Sequence, residues 1–258
     1  MRSKLIACAP FGYFCPVKTI SAPFVLLWKG WFYFVVLVVI LLIFPFIWYW
    51  SRRPGDYPHF FRWARIWSHM VLRGSFLHWR VKPLSKELTK QCIIVSNHSS
   101  MLDIPLNMVL VPRPFLFIGK VELAKLPLFG FFYRRTNILV DRSSMRSRKE
   151  ALEKAAMKLD EGYSMCIYPE GGVPAHDVPL GKFKEGAFRL ATEKQIPLLP
   201  ITFVDNKLAY PYRWNMGGPR LLRCTIHPPI EAKNKGAKEL KTELRSIFEQ
   251  ELAHYGRL

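Results

Sequence analysis

Between Trp31 and Trp50 the chain runs for 20 residues without a charged side chain. Trp31 and Tyr33 stand at one end of this run; Trp48, Tyr49 and Trp50 stand at the other. As a helix rising about 1.5 Å per residue it would reach about 30 Å, the depth of a bilayer core. Aromatic residues at both ends suit the two membrane interfaces. Pro45 is placed to kink such a helix. The pattern then changes. Over 57–81, Phe60, Trp63, Trp67, Met70 and Val71 recur at helical spacing with Arg62, Arg65 and Arg73 among them. That spacing predicts a basic amphipathic helix lying in the interface. Residues 1–82 are therefore expected to form an N-terminal membrane anchor, either as a single span or as a helical hairpin dipping into one leaflet. The flanking cations do not choose an orientation: Arg2, Lys4, Lys18 and Lys29 lie on one side, and Arg52, Arg53, Arg62 and Arg65 on the other.

From residue 83 onward the periods shorten. A polar link, 83–91, leads to the apolar run Cys92–Val95, which predicts a buried strand. A short helix is expected over Met101–Val109, a strand over Phe115–Ile118, a short apolar helix or loop over Leu128–Phe132 and a strand over Asn137–Val140. Ser147 with Glu150 has the spacing of a capping box. It would open a helix with Leu152, Ala155, Ala156 and Leu159 on one face, closed by Gly162. Further strands are predicted at Met165–Tyr168, Leu198–Val204 and Leu222–Ile226, and helices at Phe183–Lys194 and Lys238–Tyr255. Alternating strands and helices imply an α/β domain over 83–258, with a mixed sheet of about six or seven strands flanked by helices.

Charge sharpens the functional class. The chain has 38 Lys and Arg against 19 Asp and Glu, a net charge of +19. Such a surface favours phosphate-bearing partners. The 50% hydrophobic content directs that preference to lipid headgroups, and no nucleic-acid motif is present. The five cysteines, Cys8, Cys15, Cys92, Cys166 and Cys224, share no metal-ligand spacing. Cys92 and Cys166 lie in strand-like runs. They are expected to be buried, reduced thiols of a domain on the cytoplasmic face of the membrane. No cluster of His, Cys or carboxylates has ligand spacing, so no metal is expected.

Candidate chemistry concentrates where strands end. His98 follows the Cys92–Val95 run, with Asp103 five residues on. A histidine held by a carboxylate is the arrangement of a general base and its orienting partner. Ser99 and Ser100 suit helix capping. Three more segments occupy turns: Gly119-Lys120-Val121-Glu122-Leu123, later followed by Asp141-Arg142; Tyr168-Pro169-Glu170-Gly171-Gly172; and Pro197-Leu198-Leu199-Pro200. Taken singly, each also reads as a turn, a solvated charge or strand punctuation.

In order and spacing, His98-x4-Asp103, Lys120-Val-Glu-Leu, Tyr168-Pro-Glu-Gly and Pro197-Leu-Leu-Pro200 resemble the four blocks of the glycerolipid acyltransferase family, the 1-acylglycerol-3-phosphate acyltransferases. The stretch Leu180 to Ala191 resembles the family's helix after the third block. The resemblance covers about residues 80 to 230. It implies acyl transfer to the free hydroxyl of a lysophospholipid at a membrane surface, from acyl-CoA or acyl carrier protein as donor and with no further cofactor. His98 matches the family's base and Asp103 its orienting acid. Lys120, Arg142, Glu170, Gly171 and Gly172 fall in the blocks that bind the acceptor's phosphate. Pro197 and Pro200 match a block tied to donor binding and packing, and structural roles are expected of them.

One departure stands out. The third block usually continues into Thr-Arg, whereas this chain has Gly172-Val173-Pro174 and no arginine before Arg189. Lys182, Lys184, Arg134 or Arg135 would have to compensate, or else the acceptor is a lyso-aminolipid without phosphate. Two other classes remain: a hydrolase using water, for which no Gly-x-Ser-x-Gly elbow exists, and a non-enzymatic, basic, membrane-lipid-binding protein.

Overall fold

The computed structural model describes residues 21–83, 88 and 90–258. Cys8, Cys15, Arg2, Lys4 and Lys18 lie outside them, as do 84–87 and 89 of the polar link. Two helices come first. α1 (Ala22–Trp50) contains the apolar run but begins at Ala22 rather than Trp31, so it takes in Lys29, and it continues through Pro45. α2 (Tyr57–Gly74) runs back along it. Trp50 stacks on His59 with ring centres 4.4 Å apart, Phe46 stacks on Trp63 at 4.1 Å, and Gly74 abuts Val35.

The expected helix over 57–81 stops at Gly74. Phe76 turns the chain with φ of 58°, and the alternating His78-Trp79-Arg80-Val81 that follows is a strand. The sheet thus begins inside the segment expected to be anchor. A strand period over six residues, with a parallel partner to bond, outweighs the cations that had suggested continued helix.

Among the described residues seven strands follow: β1 (His78–Pro83), β2 (Ile93–Ser96), β3 (Phe115–Lys120), β4 (Ile138–Val140), β5 (Ser164–Ile167), β6 (Leu198–Phe203) and β7 (Leu221–Ile226). They form one sheet in the order β1-β7-β6-β2-β5-β3-β4. All pairings are parallel except β6 with β7, so the sheet is mixed. The central β2 and β6 are buried at every position, as expected of strands covered on both faces, while the edge strand β1 is largely open.

The covering helices are α3 (Asp103–Leu110), α4 (Phe129–Thr136), α5 (Met145–Asp160), α6 (Gly186–Lys194), the short α7 (Asn206–Ala209) and α8 (Ala237–His254). α5, α6 and α8 pack as one group; α1, α2 and α3 form another. Two bonds from α2 tie this group together and to the sheet: Arg65 Nε donates to the carbonyl of Met108 in α3 at 2.9 Å, and Tyr57 Oη donates to that of Phe115 in β3 at 2.6 Å. α5 starts earlier than the Ser147–Glu150 pattern indicated. Its cap is Ser144, whose Oγ accepts from the Ser147 N–H, while Glu150 pairs with Arg146 at 2.8 Å. Gly162, at φ of 87°, ends the helix in the left-handed turn that glycine favours.

Because β2 to β6 run in parallel, the loops that follow them gather at one edge of the sheet. The packing beneath that edge includes the fully buried Phe115, Phe188, Phe203 and Phe248. Phe248 of α8 meets Phe183 edge-on at 5.9 Å. Phe248→Ala is expected to cost about 3–5 kcal/mol through lost burial and the cavity left behind. Urea unfolding of the detergent-solubilised protein would measure it.

Candidate active site

His98 lies two residues beyond β2, at the sheet edge where the parallel strands end. Its Nδ1 is 2.8 Å from Asp103 Oδ2, and Asp103 is fully buried. An ionised carboxylate cannot be buried cheaply without donors. Here the donors come from the tight turn itself. Ser99 N–H and Ser100 N–H reach Oδ2 at 2.6 and 2.9 Å, and Ser99 Oγ reaches Oδ1 at 3.2 Å. The serines therefore serve the aspartate as capping residues serve a helix. With Nδ1 carrying the proton toward Asp103, Nε2 presents a lone pair.

One further donor was not legible in the motif. Asn206 Nδ2 bonds Asp103 Oδ1 at 2.7 Å, across 103 residues of sequence. Asn206 opens α7, just after β6. Its neighbour Asp205 is clamped by Arg223, whose Nε and Nη2 both lie 2.6 Å from the carboxylate. Asn97 sews the same strand ends together: its side chain both donates to and accepts from the backbone of Phe203, at 2.9 and 2.7 Å. The only sequence signal for Asn206 was a polar pair at a predicted strand end.

The Tyr168–Gly172 turn sits directly beside His98. The Tyr168 ring stacks on the imidazole at 4.1 Å with 14° between planes, and its hydroxyl bonds Asn107 Nδ2 at 3.1 Å. Glu170 uses both oxygens on backbone: Oε1 accepts from His98 N–H at 2.7 Å and Oε2 from Gly181 N–H at 2.6 Å. Burial raises its carboxyl above the usual carboxylate range, and these two donors pull the other way. Glu170 thus reaches the site as a brace between two loops, not as a group aimed outward. A Cβ at residue 181 would come within 2.6 Å of Glu170 Oε2, which explains glycine there.

Around this turn the structure gathers cations. Gly171 adopts φ of 71°, and the aliphatic stem of Lys184 covers its α-carbon. Gly172 faces Arg142 Nη1. Arg142 follows β4, whose Val140 pairs with Lys120 at the end of β3. Lys120 is half-exposed and forms an ion pair with Glu122 at 3.3 Å. Of the four residues expected to compensate for the absent arginine, Lys184 lies at the turn. Arg134 donates to the Ala124 carbonyl, and Arg135 covers the Phe131 ring at 3.6 Å, so both are engaged within the α4 region. Pro197 and Pro200 are structural: their carbonyls accept from the N–H groups of Ile93 and His227. Among the described residues no group of three or more His, Cys, Asp or Glu is placed to hold a metal ion.

This geometry has counterparts in known proteins. The chain is 27% identical over 246 residues to the chloroplastic 1-acyl-sn-glycerol-3-phosphate acyltransferase BAT2 of Brassica napus, an alignment covering 88% of this chain and 65% of that protein. It is 28% identical over 179 residues to the 1-acyl-sn-glycerol-3-phosphate acyltransferase of Escherichia coli (strain K12), covering 67% of this chain and 71% of that one. The chain thus spans a little under two thirds of the length of the Brassica protein. The fold is shared with the crystal structure of the 1-acyl-sn-glycerophosphate acyltransferase PlsC from Thermotoga maritima, at a TM-score of 0.75 and 24% identity over 90% of this chain and 96% of that one. Residues 80–204, from β1 through the strand end that leads into α7, match the Acyltransferase family model, and this segment is an acyltransferase-family domain.

Proposed function

We propose that the chain is a membrane-bound O-acyltransferase that moves a fatty acyl group from a thioester donor, acyl-CoA or acyl carrier protein, to the free hydroxyl of 1-acylglycerol-3-phosphate, giving phosphatidate. The observation that carries this is His98, its Nδ1 held by buried Asp103 beside a glycine turn flanked by Arg142 and Lys184.

The residues suit each step. An alcohol is a weak nucleophile at neutral pH, so His98 Nε2 takes its proton as the oxygen attacks the thioester carbonyl. Asp103 fixes the tautomer and stabilises the imidazolium. The tetrahedral intermediate collapses, the C–S bond breaks, and the imidazolium returns its proton to the sulfur. The products are ester and thiol, and the step balances without a metal or a redox group. Glu170 holds the backbone of His98 toward the turn. The acceptor's phosphate is drawn to Arg142, Lys184 and Lys120 and to the N–H group of Gly172. Cations on both flanks of that turn favour a phosphate-bearing acceptor over a lyso-aminolipid, despite Val173.

Membrane association rests on α1. It is the one described helix long and apolar enough to cross a bilayer, judged by length and composition. Yet it touches the α/β body at separated points. Phe32 packs on Tyr210 at 4.8 Å, and Phe44 meets Phe132 of α4 at 5.4 Å. The intervening turns, about 18 Å of helix, therefore lie along the body. Phe24, Leu27, Phe34, Leu41, Leu42 and Phe46 remain exposed. A helix held in this way favours the hairpin that dips into one leaflet over a span. The buried free thiols Cys92, Cys166 and Cys224 fit a domain on the cytoplasmic side.

Three outcomes test this. His98→Ala should lower acyl transfer by about 10²- to 10⁴-fold while vesicle co-sedimentation is unchanged; undiminished thiol release from acyl-CoA would sink the mechanism. Arg142→Ala and Lys184→Ala should raise KM for lysophosphatidate and leave turnover of a phosphate-free lysolipid unaffected, which an acceptor screen would show. Asn206→Ala should lower kcat more than KM, because it leaves one lone pair of Asp103 without its donor and loosens the hold on His98.

A further inference from the structure

The chain between α7 and β7 carries a set of aromatic residues that the proposed reaction does not use. Residues 210–216 read Tyr-Pro-Tyr-Arg-Trp-Asn-Met. Tyr210 and Pro211 are buried, but Trp214 is 74% exposed, Tyr212 66%, and Met216 is exposed beside them. Side chains of this size are normally drawn inward, and exposing them together marks a contact surface.

The loop is held open. Lys29, on the apolar helix α1 and itself buried, donates from Nζ to the carbonyls of Pro211 at 3.2 Å and Arg213 at 2.5 Å. Its ammonium also lies 4.9 Å from the centre of the Tyr210 ring. Phe32 and Tyr33 pack on that same ring at 4.8 and 6.3 Å. Gly217, at φ of 109°, and the bond from Gly218 N–H to the Ala209 carbonyl at 2.9 Å close the loop's base. A lysine inside an apolar helix is costly unless its charge finds acceptors. Here it finds two carbonyls of this one loop, so the loop's position is fixed to the helix. Tyr33, exposed on α1, packs on Tyr210, and Leu26 and Leu37 are exposed on the same helix, so the loop meets its apolar face there.

We infer that the 212–216 loop is a second membrane contact, with Tyr212, Trp214 and Met216 entering the interfacial layer of the leaflet that takes the outer face of α1, and Arg213 at the headgroup phosphates. The inference rests on the membrane-bound reading of α1 given above. Three features choose an anionic phospholipid surface as the occupant. The patch continues the apolar face of α1. Trp and Tyr have the amphipathic rings that settle at bilayer interfaces. The chain's charge of +19 attracts acidic headgroups. The contact also serves the site. Ser100 Oγ donates to the Tyr210 carbonyl at 2.8 Å, and Asn206, at the other end of α7, holds Asp103. Seating this loop in the interface brings His98 to the depth at which a lysolipid presents its hydroxyl.

The test uses the full chain with vesicles of phosphatidylcholine and phosphatidylglycerol. The variant is Trp214→Ser with Met216→Ser. Tyr212 is left intact because it sits between the two residues whose carbonyls hold Lys29. With that apolar surface no longer buried, turnover on vesicle-borne lysophosphatidate should fall about tenfold or more. Turnover on a short-chain, monomeric lysophosphatidate should stay the same, and Trp214→Phe should restore most of the vesicle activity. Brominated lipids should quench wild-type tryptophan fluorescence more than that of Trp214→Phe; this readout needs no turnover, so it stands even if the proposed activity is absent. Equal loss on both substrates would place the loop in the substrate site and overturn the inference. No loss on vesicles, equal quenching in the two proteins, or a dimer of the wild type that the variant abolishes would overturn it as well.

Discussion

Asp103 is a fully buried charge, and the arrangement around it follows from the need to surround it with donors. The turn after β2 curls so that two serine N–H groups converge on one oxygen, and Asn206 is brought from the end of β6 to serve the other. Ser99 Oγ and His98 supply the remaining partners, and the imidazole gains a fixed ring orientation in return. Taking out any one donor leaves part of that charge uncompensated. For this reason residues remote in sequence act on the imidazole as one unit.

Electrostatics around the neighbouring turn work differently. Glu170, whose carboxyl burial raises, spends both oxygens on backbone N–H groups and sets the distance between the His98 loop and the Gly181 loop. With both oxygens met by backbone N–H groups, that carboxylate leaves Arg142 and Lys184 to face the glycines. The positive φ at Gly171 lets the chain pass under the Lys184 stem, where a side chain would meet it. The turn thereby acquires the cationic character that an arginine at its end would otherwise bring.

The apolar helix does more than present an apolar face. Its inner stripe, Val25, Trp28, Phe32, Val35, Val39, Ile43 and Ile47, is buried against α2 and the body, and its outer face is left apolar. Lys29 fits this division: it lies on the inner side and binds the loop that leads back to Asn206 and Asp103. The apolar helix and the site are therefore parts of one packed unit, and the sheet itself begins only four residues after α2 ends.

The sequence by itself determined the periodic and local features. Continuous apolar runs placed the central strands β2, β5 and β6 to within a residue or two, because a strand buried on both faces has no polar alternation to confuse it. The His98–Asp103 pairing was legible because five residues of one turn suffice to close it, and the Gly162 helix end because only local backbone geometry is involved. Only the tertiary structure decided where α2 gives way to β1, since the strand's partner lies in β7, far along the chain. It alone brought Asn206 to Asp103, turned Glu170 inward, and put Lys184 at the Gly171 turn while Arg134 and Arg135 bond near α4. Each of these depends on which strand ends lie side by side. Strand order is settled by burial and pairing across the whole sheet, which no local pattern encodes.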